Sequence, residues 1–523
     1  MQISSKHQNQ STTTLQSFVG GLNTSSPDEL IAENQLAECI NMEINGAGLL
    51  RTVKGTRDII VPQNLQADLK AGAFDDINGV LLVFDKEGTT YTLVDGELKE
   101  VGTLSGDDEV ICQPWEDGIL IASGGLLQYA KPVPLNDLTM GEENEEYKLT
   151  TIPTSPADSG GVYVRSGRVF VFDSEDNLKY SGVGDEEMWV QDTNDPSTAL
   201  FTQIGYKVGG RIIGLVNMQS YVLIIKDNGK IYRLDNEYPD WSIQEVTSNG
   251  LCKGKLAYAS IGGGVFVLGE KTMQLISPTD QNGNMPINYV GKQVENEIAN
   301  LPPHTKMRYN TDLNQLWFIT GSQWVLVYDC NTQTFFQRYF NADVVDMVGN
   351  FIIKKDRISE LSDMEEVMED NGEPLYYRAK FKTEMGLQDI LVKHVDLSLN
   401  PLVSFYEDAQ ATLKVSRINV SFPQRNRSID NRIQRTVGVT NKAVEPARTT
   451  IGGVRDEADT KWVNTIAGSG YDDVAFNREN ISAGKSLLYK KRQICRGHKV
   501  DVELEGRGFP FILNFISYDK VVV

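Results

Sequence analysis

Between residues 75 and 345 the chain repeats one pattern. A short β-branched or aromatic run meets a Gly, Asp or Asn turn, then a second run and another turn. The clearest copies lie at 79–102, 116–130, 161–182, 210–235, 255–277 and 307–340. Their second runs start about 40 to 50 residues apart, a period that, with three or four strands per copy, marks a β-propeller. One four-stranded sheet cannot bury both of its faces, so successive sheets stack around an axis and cover each other. The runs Val169–Phe172, Val222–Ile225, Val265–Leu268 and Val325–Val327 are near-continuously apolar, as strands covered on both faces should be. Turns at Asp85–Gly88, Asp95-Gly96, Asp173–Asn177 and Asp227–Gly229 suit hairpins. The expected fold is therefore mostly β: a propeller of about six blades over 75–345.

The flanks read differently. Residues 1–74 form a leader in which Leu30–Ile44 could hold a short helix, capped by Asp28 and ended at Asn45-Gly46. Residues 346–422 and 485–523 suggest a further C-terminal β-sandwich-like domain: 346–372 bridges to it through the acidic stretch Glu360–Asp370, a short helix or a charged loop, and 373–422 and 485–523 alternate apolar and polar positions, as in a sheet with one wet face. Between them, 423–484 is polar and Arg-rich with little apolar periodicity. It reads as an inserted loop or extension with a function or a partner to order it.

Charge sharpens this division. The 523 residues carry 50 Lys+Arg and 71 Asp+Glu, net −21. Residues 1–370 hold 27 and 53 of these, net −26; residues 371–523 hold 23 and 18, net +5. Such acidity argues against a nucleic-acid clamp, because phosphate affinity comes from cations. The basic run Arg425, Arg427, Arg432 and Arg435 is the most marked local charge feature and a candidate inter-subunit or partner contact. A solvated loop is the plain alternative. An acidic neighbour, such as the propeller region of another copy, is the preferred one.

Catalytic constellations are missing. The four His (His7, His304, His394, His498) stand apart from one another and from the Cys, and HExxH, CxxC and GxSxG patterns are absent. Ala483–Ser486 ends like a phosphate loop, yet Glu479 stands where its first Gly should be. Gly20-Gly21, Gly124-Gly125, Gly209-Gly210 and Gly262–Gly264 lack GxGxxG spacing. Asp173–Asn177 lacks the Gly and Glu of a calcium loop and reads as a hairpin turn. No Ser-x-Asp-x-Gly-x-x-x-Trp box of the sialidase kind occurs. The expectation is a non-enzyme with no cofactor and no metal. Five scattered Cys (Cys39, Cys112, Cys252, Cys330, Cys495) read as reduced thiols of a protein made in a cytoplasm. The polar, Ser/Thr-rich start is unlike a signal peptide, and no apolar stretch approaches membrane-spanning length.

The order of these blocks resembles a known family. The leader FVGGLNTSSPDELIAENQLAECINMEINGAGLLRTVKG, with Gly20, Gly21, Asn23, Asn41, Met42, Leu50, Arg51 and Gly55, is similar to the opening of bacteriophage tail proteins. The stretches at 162–189, 211–234 and 314–340 resemble blades of the tail nozzle, or tail hub, proteins of short-tailed phages, and 489–519 resembles their closing strands. The Arg-rich stretch has no counterpart there. The resemblance implies a six-bladed propeller and a homo-hexameric ring below the portal and adaptor rings. It also implies neighbouring tail fibres or spikes and a conduit through which DNA leaves without sequence-specific binding. The expected location is the virion tail, after assembly in the host cytoplasm. A second expectation is a propeller tail component that binds host glycan, for which Trp115, Trp189, Trp241 and Trp324 are candidates; blade packing is their plainer role. A propeller hydrolase is a third, weakened by the missing motifs.

Overall fold

A computed structural model describes residues 10–60, 67–133, 147–363, 368–402, 416–425, 432–442, 463–468, 474–476 and 487–522. Short stretches inside these, at 95, 174–175, 193, 219–220, 237–240, 248–249, 251, 280–283, 371, 501 and 508–509, are excepted. The described chain is almost all strand; its one α-helix is Glu295–Asn300, entered through the 3-10 turn Lys292–Val294. None of its helices is long and apolar enough to cross a membrane. The fold is mostly β. It divides into two compact units, one of Met1–Arg57, Gln323–Asn341 and Glu360–Val523, the other of Asp58–Ser322 and Ala342–Ser359.

The second unit is a β-propeller. Five four-stranded antiparallel sheets follow in chain order, opening with Leu69–Asp75, Ile111–Trp115, Gly161–Arg165, Ile212–Met218 and Tyr258–Ile261. The hairpin Lys306–Asn310 with Gln315–Ile319 comes next, then Val344–Val348, Phe351–Lys354 and Ile358–Leu361. Thr56–Ile60, from the far side of the whole propeller sequence, supplies the fourth strand of this last sheet. From Ile111–Trp115 onward the first strands neighbour one another in turn, Val344–Val348 lies against Leu69–Asp75, and Leu82 and Phe84 of the first sheet share a core cluster with Ile119 and Ile121 of the second, so the ring closes. Among the described residues seven first strands ring the axis, one more than the six copies visible along the chain. The additional sheet is no contiguous copy, which is why periodicity passes over it, and the propeller unit runs past 345 to Ser359. The sixth copy is divided: Trp324–Asp329 and Thr334–Tyr339 belong to the other unit.

The second strands explain the continuous apolar runs. Gly118–Ala122, Arg168–Phe172 and Gly264–Leu268 are buried at every position, because neighbouring sheets cover both of their faces. Leu69, Leu81 and Val83 pack with Val345, Ile353 and Ile358, joining last sheet to first. Aspartates at strand ends hold the turns. The Asp85 carboxylate accepts from the backbone of Glu87 and Thr89 at 3.0 and 2.7 Å, while Gly88 supplies φ 89°. Asp75 likewise accepts from Ile77 and Asn78 and receives the Tyr147 hydroxyl of the next sheet at 2.6 Å.

The first unit is a sandwich of two sheets. One contains Met42–Ile44, Leu50–Thr52, Phe511–Val522, Glu384–Pro401 and Leu487–Val500, with Gln10–Leu15 beside Phe511–Val522. The other runs from the hairpin Trp324–Tyr339 through Gln35–Ile40, Tyr376–Phe381, Glu503–Arg507, Ser416–Arg425, Arg432–Lys442 and Val463–Gly468 to Val474–Phe476. Tyr377 of one sheet meets Phe511 of the other, ring centroids 5.4 Å apart, and Phe18 covers Phe381 at the same distance. Both ends of the sequence therefore share one core. The expected helix within 30–44 is instead the strands Gln35–Ile40 and Met42–Ile44. Leu36 and Ile40 have helical spacing, but strand partners on both sides of Gln35–Ile40 outweigh that local preference. Part of the stretch expected as an inserted extension is also strand: Arg432–Lys442, Val463–Gly468 and Val474–Phe476.

Candidate functional site

The seven first strands enclose a cavity of about 490 Å³ on the propeller axis. Each contributes to its wall, through Gly72, Cys112, Tyr163, Val216, Tyr258, Arg308 and Met347. Consecutive residues of a first strand line the cavity, as at Gly72–Phe74 and Tyr258–Ser260, because the innermost strand of each sheet turns its edge to the axis while its two faces meet the neighbouring sheets.

One ionic cluster braces the wall. Asp346, fully buried, receives Arg308 in a fork: Nε to Oδ1 at 2.7 Å and Nη2 to Oδ2 at 3.0 Å. Lys306 Nζ approaches the same Oδ2 at 3.3 Å and donates to the Lys70 carbonyl at 2.7 Å. The backbone N–H groups of Gly72 and Met347 complete the carboxylate's partners. Burial works to raise the Asp346 pKa, but Arg308 and Lys306 outweigh it and hold the group at about 2. Three neighbouring first strands are tied together by this one carboxylate.

The wall offers little for catalysis. Burial pushes the Cys112 thiol up to about 12, with Arg308 pulling weakly the other way, so it is no ready nucleophile. Burial also raises Tyr258 and Glu109. His304 is exposed, its Nε2 3.3 Å from the Thr320 carbonyl. Among the described residues no three His, Cys, Asp or Glu side chains gather as a metal site would require. A duplex whose major groove alone is about 12 Å wide cannot thread a cavity of this size.

The residues singled out from sequence scatter. Arg425, Arg432 and Arg435 lie on the hairpin Ser416–Arg425 with Arg432–Lys442, in which Arg425 is the register partner of Arg432 and Arg435 that of Phe422. Arg427 and Ala483–Ser486 lie outside the described residues. Asp173 closes a hairpin turn, accepting from the Asn177 amide at 2.8 Å. Three of the four tryptophans pack in or against the core of the second to fourth sheets. Trp115 is buried, Trp189 donates to the Glu186 carbonyl at 2.6 Å, and Trp241 packs edge-on against Tyr180 at 4.7 Å. Trp324, 45% exposed, lies against Tyr339. Sequence reasoning missed Lys306, Arg308 and Asp346. Their signals were faint: charges at alternate positions of KMRYN and one Asp inside the apolar VVDMV.

No family model and no curated protein matches the chain. Among solved structures it is similar to the computationally designed protein Ika8 (12% identity, 58% of this chain and 99% of that one, TM-score 0.35). It is also similar to the WD40 β-propeller domain of Doa1 (10% identity, 59% and 97%, TM-score 0.37). The propeller assignment rests on strand order and ring closure within the chain itself.

Proposed function

We propose that this chain is a structural, non-catalytic protein of a bacteriophage tail, a subunit of the nozzle or hub ring that conducts DNA out of the virion. The observation that carries the reading is where the charge lies. Residues 58–322 and 342–359, the propeller unit, hold 22 Lys+Arg and 41 Asp+Glu, 22 − 41 = −19 of the chain's −21. A conduit wall must not hold phosphate, and an acidic surface repels it. The braced axial cavity is too small for a duplex, so in this reading the conduit runs between copies, as in a homo-hexameric ring. The resemblance of the leader and blade blocks supports the same reading. Its further partners are the adaptor and portal-proximal rings and the tail fibres or spikes.

Native mass spectrometry and cryo-microscopy of the purified protein and of virions test it. The expected result is a closed ring near the tail tip and no retention of duplex DNA even at low salt. A strictly monomeric protein, absent from virions, overturns the reading.

A further inference from the structure

Exposed apolar side chains are concentrated in one stretch of the chain. Of the fourteen large hydrophobic residues exposed among the described residues, six lie between 183 and 208: Val183, Met188, Val190, Phe201, Tyr206 and Val208. Val183, Met188 and Val190 belong to the excursion that leaves the third strand of the third sheet, Phe201 to the fourth strand, Leu200–Gln203, and Tyr206 and Val208 to the turn that follows it. That strand is the sheet's edge, bonded only to Asn177–Tyr180. Such a density of exposed large apolar side chains marks an interaction site more often than a solvated one.

The excursion is held in shape. Arg168, buried in the second strand of the sheet, donates through Nη1 to the carbonyls of Ser181 and Thr198 at 2.6 and 2.9 Å. Its Nη2 donates to that of Pro196 at 2.7 Å. Val183 N–H bonds the Ser197 carbonyl, and Gly182 N–H that of Met188. A surface fixed in this way loses little conformational entropy when it is covered. Residues 182–208 contain Asp185, Glu186, Glu187, Asp192 and Asp195 against one cation, Lys207, 1 − 5 = −4. The apolar centre has an acidic rim, which repels anionic lipid and nucleic acid and favours a basic protein segment.

The chain itself carries such a segment. Residues 416–442 hold six Lys+Arg (Arg417, Arg425, Arg427, Arg432, Arg435, Lys442) against one Asp, 6 − 1 = +5, interleaved with Ile418, Val420, Phe422, Ile433, Val437 and Val439. The backbone register sets Arg425 opposite Arg432 at the end of this strand pair. We propose that the 182–208 surface is the docking site for a second copy of this chain, and that the arginine-bearing hairpin 416–442 of that copy seats on it. The inference rests on the ring reading for its second copy, and it identifies the two faces that meet.

The test uses the full-length protein in two forms. Val190→Glu/Phe201→Glu changes only exposed side chains, and Asp185→Lys/Glu187→Lys reverses the rim; circular dichroism and melting temperature verify the fold of each. Sedimentation should show association weakened roughly tenfold or more by either change. Arg425→Glu/Arg432→Glu should weaken it likewise and recover when combined with the rim reversal. A photo-crosslinker at position 190, in a mixture of light and heavy isotope-labelled protein, should give light-to-heavy links to 416–442. If wild type assembles while the variants assemble equally well, or the links fall elsewhere or join only chains of one isotope, the docking surface is overturned and the ring reading stands. Monomers at every concentration overturn both. A glycan-array signal lost in Phe201→Glu, with assembly unchanged, assigns the surface to sugar and overturns the inference.

Discussion

The amide nitrogen of Asn41 lies 2.7 Å from the carbonyl oxygen of Tyr376. The same side chain donates to the Tyr339 carbonyl at 3.0 Å and accepts from the Tyr339 N–H at 2.9 Å, so one buried residue joins three strands of the sandwich. Its backbone has φ 50°, which Asn tolerates better than most residues. Asn41→Ala leaves these buried groups unpaired and should lower sandwich stability by about 2–4 kcal/mol, read as an earlier urea transition. Asn41→Asp should cost at least as much, because a carboxylate would face two carbonyl oxygens.

Asp346 should give the propeller an acid limit. Its carboxyl is held at about 2, below its ordinary 3.8, by Arg308 and Lys306 acting against burial. A depressed carboxyl stabilises the fold above its unfolded pKa, and that contribution fades as pH falls through about 2. Arg308 and Lys306 stay charged throughout that window. Unfolding free energy should therefore fall by about 2 kcal/mol between pH 4 and pH 2 through this residue. Asp346→Asn should lack this dependence and lose about 2–4 kcal/mol at neutral pH, since two half-buried cations are left without their buried carboxylate. Denaturant titrations across pH separate the two effects.

Arg168→Met retains much of the packing volume but removes the donors that hold 182–199. Limited proteolysis should then cut within 182–199 at least about tenfold faster, and association should weaken although no exposed residue has changed. Unchanged proteolysis would show that other contacts fix the excursion.

The thiols should be slow to react. Cys39, Cys112, Cys252 and Cys330 are free, and burial pushes the last three up to about 12 and Cys39 higher still. In a Cys495→Ser background a thiol reagent at pH 8 should label native protein far more slowly than urea-unfolded protein. Rapid labelling of Cys112 would indicate that the propeller axis opens.

How much of this was legible in the sequence follows from the range of each signal. Strand runs such as Val222–Ile225 and turns such as Asp85–Gly88 are local, and they appear where the pattern places them. The Lys306–Arg308–Asp346 brace was not legible, because its members stand on two sheets and each reads alone as an ordinary strand charge. The helix expected within 30–44 failed for the same reason, since its cap and turn signals at Asp28 and Asn45-Gly46 are local whereas the strand partners of Gln35–Ile40 are distant.

By itself the sequence determined a mostly β chain built of repeated sheets, an acidic body and an arginine-rich segment, because side-chain period, turn chemistry and charge are properties of neighbouring residues. Only the tertiary structure decided the seventh first strand, the closing strand Thr56–Ile60, the joining of both chain ends in one sandwich and the apolar surface at 182–208. Strand pairing and burial depend on which distant segments meet. That is settled by closing the ring and covering each sheet's second face, which no local window of sequence records.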